Sequence, residues 1–288
     1  MSAVPIVCFG EILWDLLPHG CCLGGAPLNV VHHLNQQGVA AVPCSAVGDD
    51  ELGSEALRSI ARSGVSFRGV STHLTLETGV AEVSLNETGQ ATYRFPEPCA
   101  WDAIRMPTFG FLPTTLVFGT LALRRGNNRI RLREMIGFWK PARVVCDLNL
   151  RPPYDDIVEI ETILQLAHVI KLNDEEATKL CSDVPSGDLR RMAQTLQKRF
   201  KVETVCITAG GDGAVMAVGD RWFEQPAIPV EVCDTVGAGD AFTAGLLAAW
   251  HHDPDDHQAA LAVAAGLAAH VASQPGAQPP PVDQVKAG

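Results

Sequence analysis

The sequence predicts an α/β protein with a mostly parallel central sheet and a separate small β layer, on three observations. From Thr114 onward strand-like and helix-like stretches alternate, as βα units do. Before them, TGVAEVSLNETGQATYRF alternates with period two on either side of Asn86–Gly89, a hairpin with no intervening helix. Near the C-terminal end, Ile228, Val230 and Val232 read as a strand that enters CDTVGAGDAFTAGLL, a glycine turn opening directly into an apolar helix over Ala241–Trp250.

The elements follow in order. Val4–Phe9 reads as a buried strand, and CLGGAPLNVVHHLNQQG as a glycine turn and an amphipathic run from Asn29 to Gln37, with Gly38 as its C-cap. Residues 49–66 carry apolar side chains at helical spacing. After the hairpin come a strand in TTLVFGTLAL, a helix over Asn127–Phe138, and strands in ARVVCDLNLR, HVIKLN and TVCITAGGDG. An Ala-rich helix, Gln258–Ser273, precedes an irregular Pro-rich tail. No repeat or linker divides the 288 residues, which suffice for a substantial core.

Lys and Arg total 22 against 33 Asp and Glu, a formal charge of −11 that argues against nucleic-acid or anionic-membrane surfaces. Nine scattered cysteines without a CxxC pair suit reduced, mostly buried thiols, and no stretch reaches the length of a membrane span, so a cytoplasmic location is expected.

The glycine turn carries the chemistry. Unpaired N–H groups of Gly237, Ala238, Gly239 and Asp240 at a helix N-terminus form an anion site, and the carboxylate of Asp240 inside it is suited to take a proton from an attacking hydroxyl. A short GxGD alone reads first as a strand-to-helix connection with Asp240 as a helix-starting residue. The longer match, DTVGAGDAFTAGLL, closely resembles the C-terminal signature of the ribokinase-like (PfkB) carbohydrate kinases. The glycine pair Gly24–Gly25, Asn29, Gly38 and Gly48 are similar to the family's N-terminal signature, departing at Val31, where a small residue is usual. GEILWDLLP, LGGAPLN, YRFPEPCAWD and LNLR look most like fructokinases.

The resemblance covers nearly the whole chain. It implies one kinase domain over 1–288, a three-layer α/β/α core, and a β-sheet lid built from about 11–24 and 67–110. It further implies ATP-dependent phosphorylation of a sugar primary hydroxyl, with D-fructose as the expected substrate. Another sugar kinase (2-keto-3-deoxygluconate, ribose or a nucleoside) and a non-catalytic sugar- or nucleotide-binding regulator are the alternatives. Asp15, Gly25 and Asn29 become sugar-site residues, with Phe95 (or Tyr93) as an apolar wall; read locally, Asp15 is a cap or turn residue and Asn29 part of a helix start. Asn149 and Arg151 match the family's DxNxR, although Arg151 read alone equally pairs with Asp155 or Asp156. Lys171 is read as a basic group aimed at the same cleft.

Asn173 and Glu176 fit a capping box as well as the family's NxxE, whose acid helps place Mg2+ through water. Thr208, Gly210 and Gly213 resemble the family's phosphate-side TxGxxG, and Ala227–Pro229 with the last helix would wall the adenine. Asp234 and Val236 are candidates for a monovalent cation such as K+. The hairpin edge serves either the lid or a homodimer contact.

Overall fold

The computed structural model describes residues 5–17, 20–85 and 91–281. In chain order its elements are β1 (Ile6–Phe9), β2 (Leu13–Leu17), β3 (Gly20–Gly24), α1 (Ala26–Gln36), β4 (Ala41–Gly48), α2 (Glu51–Arg62), β5 (Val70–His73), β6 (Gly79–Leu85) and β7 (Ala91–Arg94). They continue as β8 (Thr115–Gly119), α3 (Gly126–Trp139), β9 (Arg143–Asp147), α4 (Ile157–Leu164), β10 (Val169–Asn173), α5 (Asp174–Leu180), α6 (Leu189–Phe200) and β11 (Thr204–Thr208). β12 (Ala214–Val218), β13 (Arg221–Gln225), α7 (Ala238–His252) and α8 (His257–Ala272) complete the chain.

A nine-stranded sheet in the order β13-β12-β11-β10-β9-β8-β1-β4-β5 is parallel from β11 to β5, with β12 and β13 added antiparallel. Its central strands are continuous apolar runs because helices cover both faces, and two buried clusters result. One holds Phe9, Phe118, Leu132 and Phe200; the other holds Cys8, Val31, Leu246 and Leu261. Loops that leave the carboxyl ends of the parallel strands therefore meet along one edge, where a ligand cleft forms in such sheets.

The small layer is a four-stranded sheet, β3-β2-β6-β7. β2 and β3 supply the part expected from 11–24, but the second part begins later than residue 67. Val70–His73 pairs in parallel with Ser45–Gly48 and is an edge strand of the large sheet. The β6–β7 register, Glu82 opposite Arg94 and Leu85 opposite Ala91, is that of a hairpin whose turn, Asn86–Gly89, lies outside the described residues.

The expected strand through Ile228, Val230 and Val232 is absent: the segment has no ladder and all three side chains are exposed. Pro226 and Pro229 remove two backbone donors, and the alternation marks a one-sided apolar wall instead. No described helix is long and apolar enough to cross a membrane. Six cysteines are buried, while Cys21, Cys22 and Cys233 are exposed; all nine are free thiols.

Candidate active site

Gly237, at φ 79, caps α7, and a Cβ there would stand 2.5 Å from Ala277 Cβ, so glycine is required both by conformation and by space. Among the described residues the N–H groups of Gly237, Gly239 and Asp240 have no hydrogen-bond partner. That of Ala238 donates to Thr235 O at 3.3 Å, so the cradle is built from three amides and not the expected four.

Asp240 lies in the first turn of α7 and is buried. Burial pushes its carboxyl up to about 7, the neighbouring Asp147 charge adds to this, and the Asn29 hydrogen bond and Lys171 oppose it. Asn29 Nδ2 donates to Asp240 Oδ2 at 2.8 Å, joining residues 211 positions apart. The two signature segments thus share one cleft.

Asn29 is held there by α1, which starts at Gly25. Gly25 has φ 113, and a Cβ would meet Glu11 O at 2.3 Å; what this glycine admits is the chain's own Glu11 carbonyl. Asp15 is mid-strand in β2, opposite Cys22 of β3 and Ala81 of β6, so it is no cap, and its carboxylate lies over Gly24. Burial raises Asp15 to about 6, with Arg151 pulling the other way. Arg151 pairs with neither Asp155, which binds Lys179, nor Asp156, which caps α4; its charge acts on Asp15 and Glu11.

Glu11, in the loop after β1, escaped the sequence reading. Its Oε1 accepts from Ala26 N at 3.2 Å, its Oε2 is buried without a partner among the described residues, and burial raises it to about 7. An acid directly after a buried strand, in GEILWD, was the available signal.

Two candidates change place. Phe95 is buried in the core with Leu13, Ala81 and Trp101 and is not an open wall, while Tyr93, stacked on it at 6.3 Å, is the exposed ring. Lys171 does not reach into the cleft: its ammonium is buried, 3.0 Å from Asp147 Oδ1 and 3.3 Å from Gly239 O. Burial alone would lower the Lys171 pKa, but Asp147 reverses this and holds it above the usual value. Thr243 Oγ1 completes the cluster, donating to Asp147 Oδ2 at 2.6 Å.

Beside the amide cradle lies a cleft of about 500 Å³. Thr208, Gly210, Gly211 and Gly213 form one rim, and Ala227–Val230 and Val232 with Phe242, Ala265, Ala268 and Ala272 form an apolar wall. Such a shape takes a flat apolar ring at one end and an anionic tail at the amides. Asn149, two residues past β9, has a left-handed backbone at φ 46. Asn173 and Glu176 make the capping box in full. Glu176 Oε1 also accepts from Leu150 N at 2.6 Å and Oε2 from Asn173 N at 2.9 Å, so each oxygen already holds a backbone donor.

Asp234 uses Oδ1 for Val236 N at 2.9 Å and Oδ2 for Gly276 N at 3.1 Å, clasping the anion loop to the tail. No cluster of three or more metal-binding side chains occurs among the described residues.

The chain is 31% identical over 279 residues to a fructokinase of Klebsiella pneumoniae, covering 90% of this chain and 89% of that one. It is 30% identical over 270 residues to a fructokinase of Rhizobium leguminosarum bv. trifolii, covering 86% and 80%. Its fold is similar to fructokinase from Vibrio cholerae O395 crystallised with fructose, ADP and calcium ion, at TM-score 0.83 and 24% identity over 96% of this chain and 95% of that one. It is similar also to fructokinase with bound ATP from Xylella fastidiosa, at TM-score 0.81 and 25% identity over 95% and 94%. The model of the pfkB family carbohydrate kinases matches residues 20–284, a span holding Asn29, the amide cradle and Asp240, and the chain belongs to that family.

Proposed function

We propose that the chain transfers the γ-phosphoryl group of ATP to a primary hydroxyl of D-fructose. The observation that carries this is the 2.8 Å contact between Asn29 and Asp240, which joins the two signature segments at a buried carboxylate next to three amides without a partner among the described residues; the Arg151 charge acting on Asp15 and Glu11 supports a sugar side nearby. Fructokinases among the relatives, at 31% and 30% identity over most of both chains, support the choice of sugar.

In the proposed reaction Asp15, Arg151 and the remaining hydrogen-bonding capacity of Asn29 orient the sugar. Its hydroxyl proton passes to Asp240 as the bond from oxygen to the γ-phosphorus forms and the bond from that phosphorus to the ADP oxygen breaks. The amides of Gly237, Gly239 and Asp240 stabilise the charge on the transferring group. Thr208, Gly210 and Gly213 flank the phosphates, with Asn149 and Asn173 at the adjoining strand ends.

A donor set poor in free carboxylates fits Mg2+, which keeps several waters and leans on phosphate oxygens. Glu176 would act on it through water with its remaining lone pairs, and the ion, when bound, neutralises phosphate charge. Carbonyls around Asp234 and Val236 would serve K+. A homodimer would form through an edge of the lid, β3 or β7, and light scattering of the purified protein tests it.

ADP release measured with fructose, ribose, glucose and 2-keto-3-deoxygluconate decides the substrate. Fructose is expected to give the highest kcat/KM. Preference for another sugar would overturn the choice of fructose, and no ADP release with any of them would favour a binding regulator.

A further inference from the structure

The tail after α8 is not loose packing. Four contacts tie it down: Gly276 N to Asp234 Oδ2 at 3.1 Å, His33 Nε2 to Ala277 O at 2.9 Å, Gln36 Nε2 to Pro279 O at 3.1 Å and His270 Nε2 to Pro280 O at 3.1 Å. Held between them, Gln278 sends Nε2 to Asn29 Oδ1 at 2.8 Å. Asn29 in turn donates to Asp240.

The direction of this chain is fixed by chemistry. An ionised carboxylate only accepts, so Asn29 must present its NH2 to Asp240 and its carbonyl to Gln278. The amide of Asn29 has two orientations of nearly equal shape, and the reversed one would set a carbonyl oxygen against the base. A donor at residue 278 adds to this preference, since Asn29 reversed alone would face it donor to donor and the chain would keep both bonds only if both amides turned against the Asp240 carboxylate.

The geometry points to Gln278 as a positioning residue that locks the Asn29 amide in the orientation that donates to the Asp240 carboxylate. Nothing in the composition of QPGAQPPP signalled this, because the contact spans 249 residues. The inference rests on Asp240 being the base.

The donated hydrogen bond favours the charged carboxylate, so its loss raises the Asp240 pKa and moves the acidic limb of kcat to higher pH. The other charged groups acting on Asp240 are Asp147 from β9, Lys171 from β10 and Glu11 after β1. On the tail side stand His32 and His33 of α1 and His270 of α8. All of these are common to every variant compared.

The experiment measures kcat against pH, with fructose and ATP saturating, for Gln278→Met, Gln278→Glu and Gln278→Lys beside wild type. Met keeps the length without a donor, Glu offers only acceptors when ionised, and Lys restores a donor. The expected result is an acidic limb displaced to higher pH with kcat at pH 7 reduced about tenfold for Met, and more for Glu, the scale of one hydrogen bond to a charged group. Lys should leave the limb at or below its wild-type position.

An unmoved limb in the Met variant, or a Lys variant that behaves like Met, overturns the inference. Retained nucleotide binding by each variant checks that it is folded, and Gln278→Leu, also uncharged and without a donor, takes the place of Met should Met fail that check. Asp240→Asn separates the two failures. If it keeps turnover the base assignment is wrong; if it is inactive while the residue 278 variants match wild type, only the role of Gln278 is wrong.

Discussion

Lys171 Nζ stands 3.0 and 3.2 Å from the two oxygens of Asp147 and 3.3 Å from Gly239 O, so a buried ion pair supports the turn whose amides face the cleft. A pair out of water repays its desolvation only when its geometry and its remaining hydrogen bonds are good, and Thr243 supplies one of those bonds.

Removing one member should therefore be worse than never having had the pair. Lys171→Met leaves Asp147 buried without its cation, and a loss of about 3–5 kcal/mol in urea unfolding is expected. Wild-type stability in that variant would show that the pair contributes nothing.

Asp240→Asn keeps the shape of the site but cannot accept the hydroxyl proton. Turnover should fall by about 10²–10⁴-fold while nucleotide binding, followed by calorimetry, changes little. Turnover near wild type would remove Asp240 from the mechanism.

The carboxyl of Asp240 titrates at about 7 in the folded chain because it is buried. The base works ionised, so kcat should fall as pH drops below about 7. For stability the sign is opposite. A carboxyl whose folded pKa lies above its unfolded value favours the fold at low pH, and that contribution is lost as pH rises through about 7. Asp240→Asn should accordingly be more stable than wild type at pH 8 by about 1 kcal/mol and lose that advantage near pH 5. Denaturant midpoints at the two pH values check this.

Asp15→Ala removes a half-buried acceptor on the sugar side and nothing from the apolar cleft. The fructose KM should rise about 10–100-fold, the scale of hydrogen bonds to a charged group, with the ATP KM unchanged. Equal effects on both substrates would place Asp15 outside the sugar site.

The parallel sheet, the extra β layer and the helix that opens at the glycine turn were legible in the order of residues. These are local matters: periodicity of apolar residues, a turn that only glycine permits, and the capping pattern of Asn173 and Glu176 are written in neighbouring positions. They also named Asp240 and Asn29, because each stands inside a motif of fixed spacing.

Contacts between distant positions came only with the packed fold. The alternation of Ile228, Val230 and Val232 left open whether a strand or a cleft wall would use it, since both need one apolar side. Lys171 carries the same charge whether it meets a phosphate or Asp147, and burial settled the matter. Glu11 and Gln278 gained their places from partners 15 and 249 residues away, across folds of chain that no local pattern encodes. Hydrogen bonds between side chains act over a few ångströms in space, and the packed sheet and helices bring those atoms together.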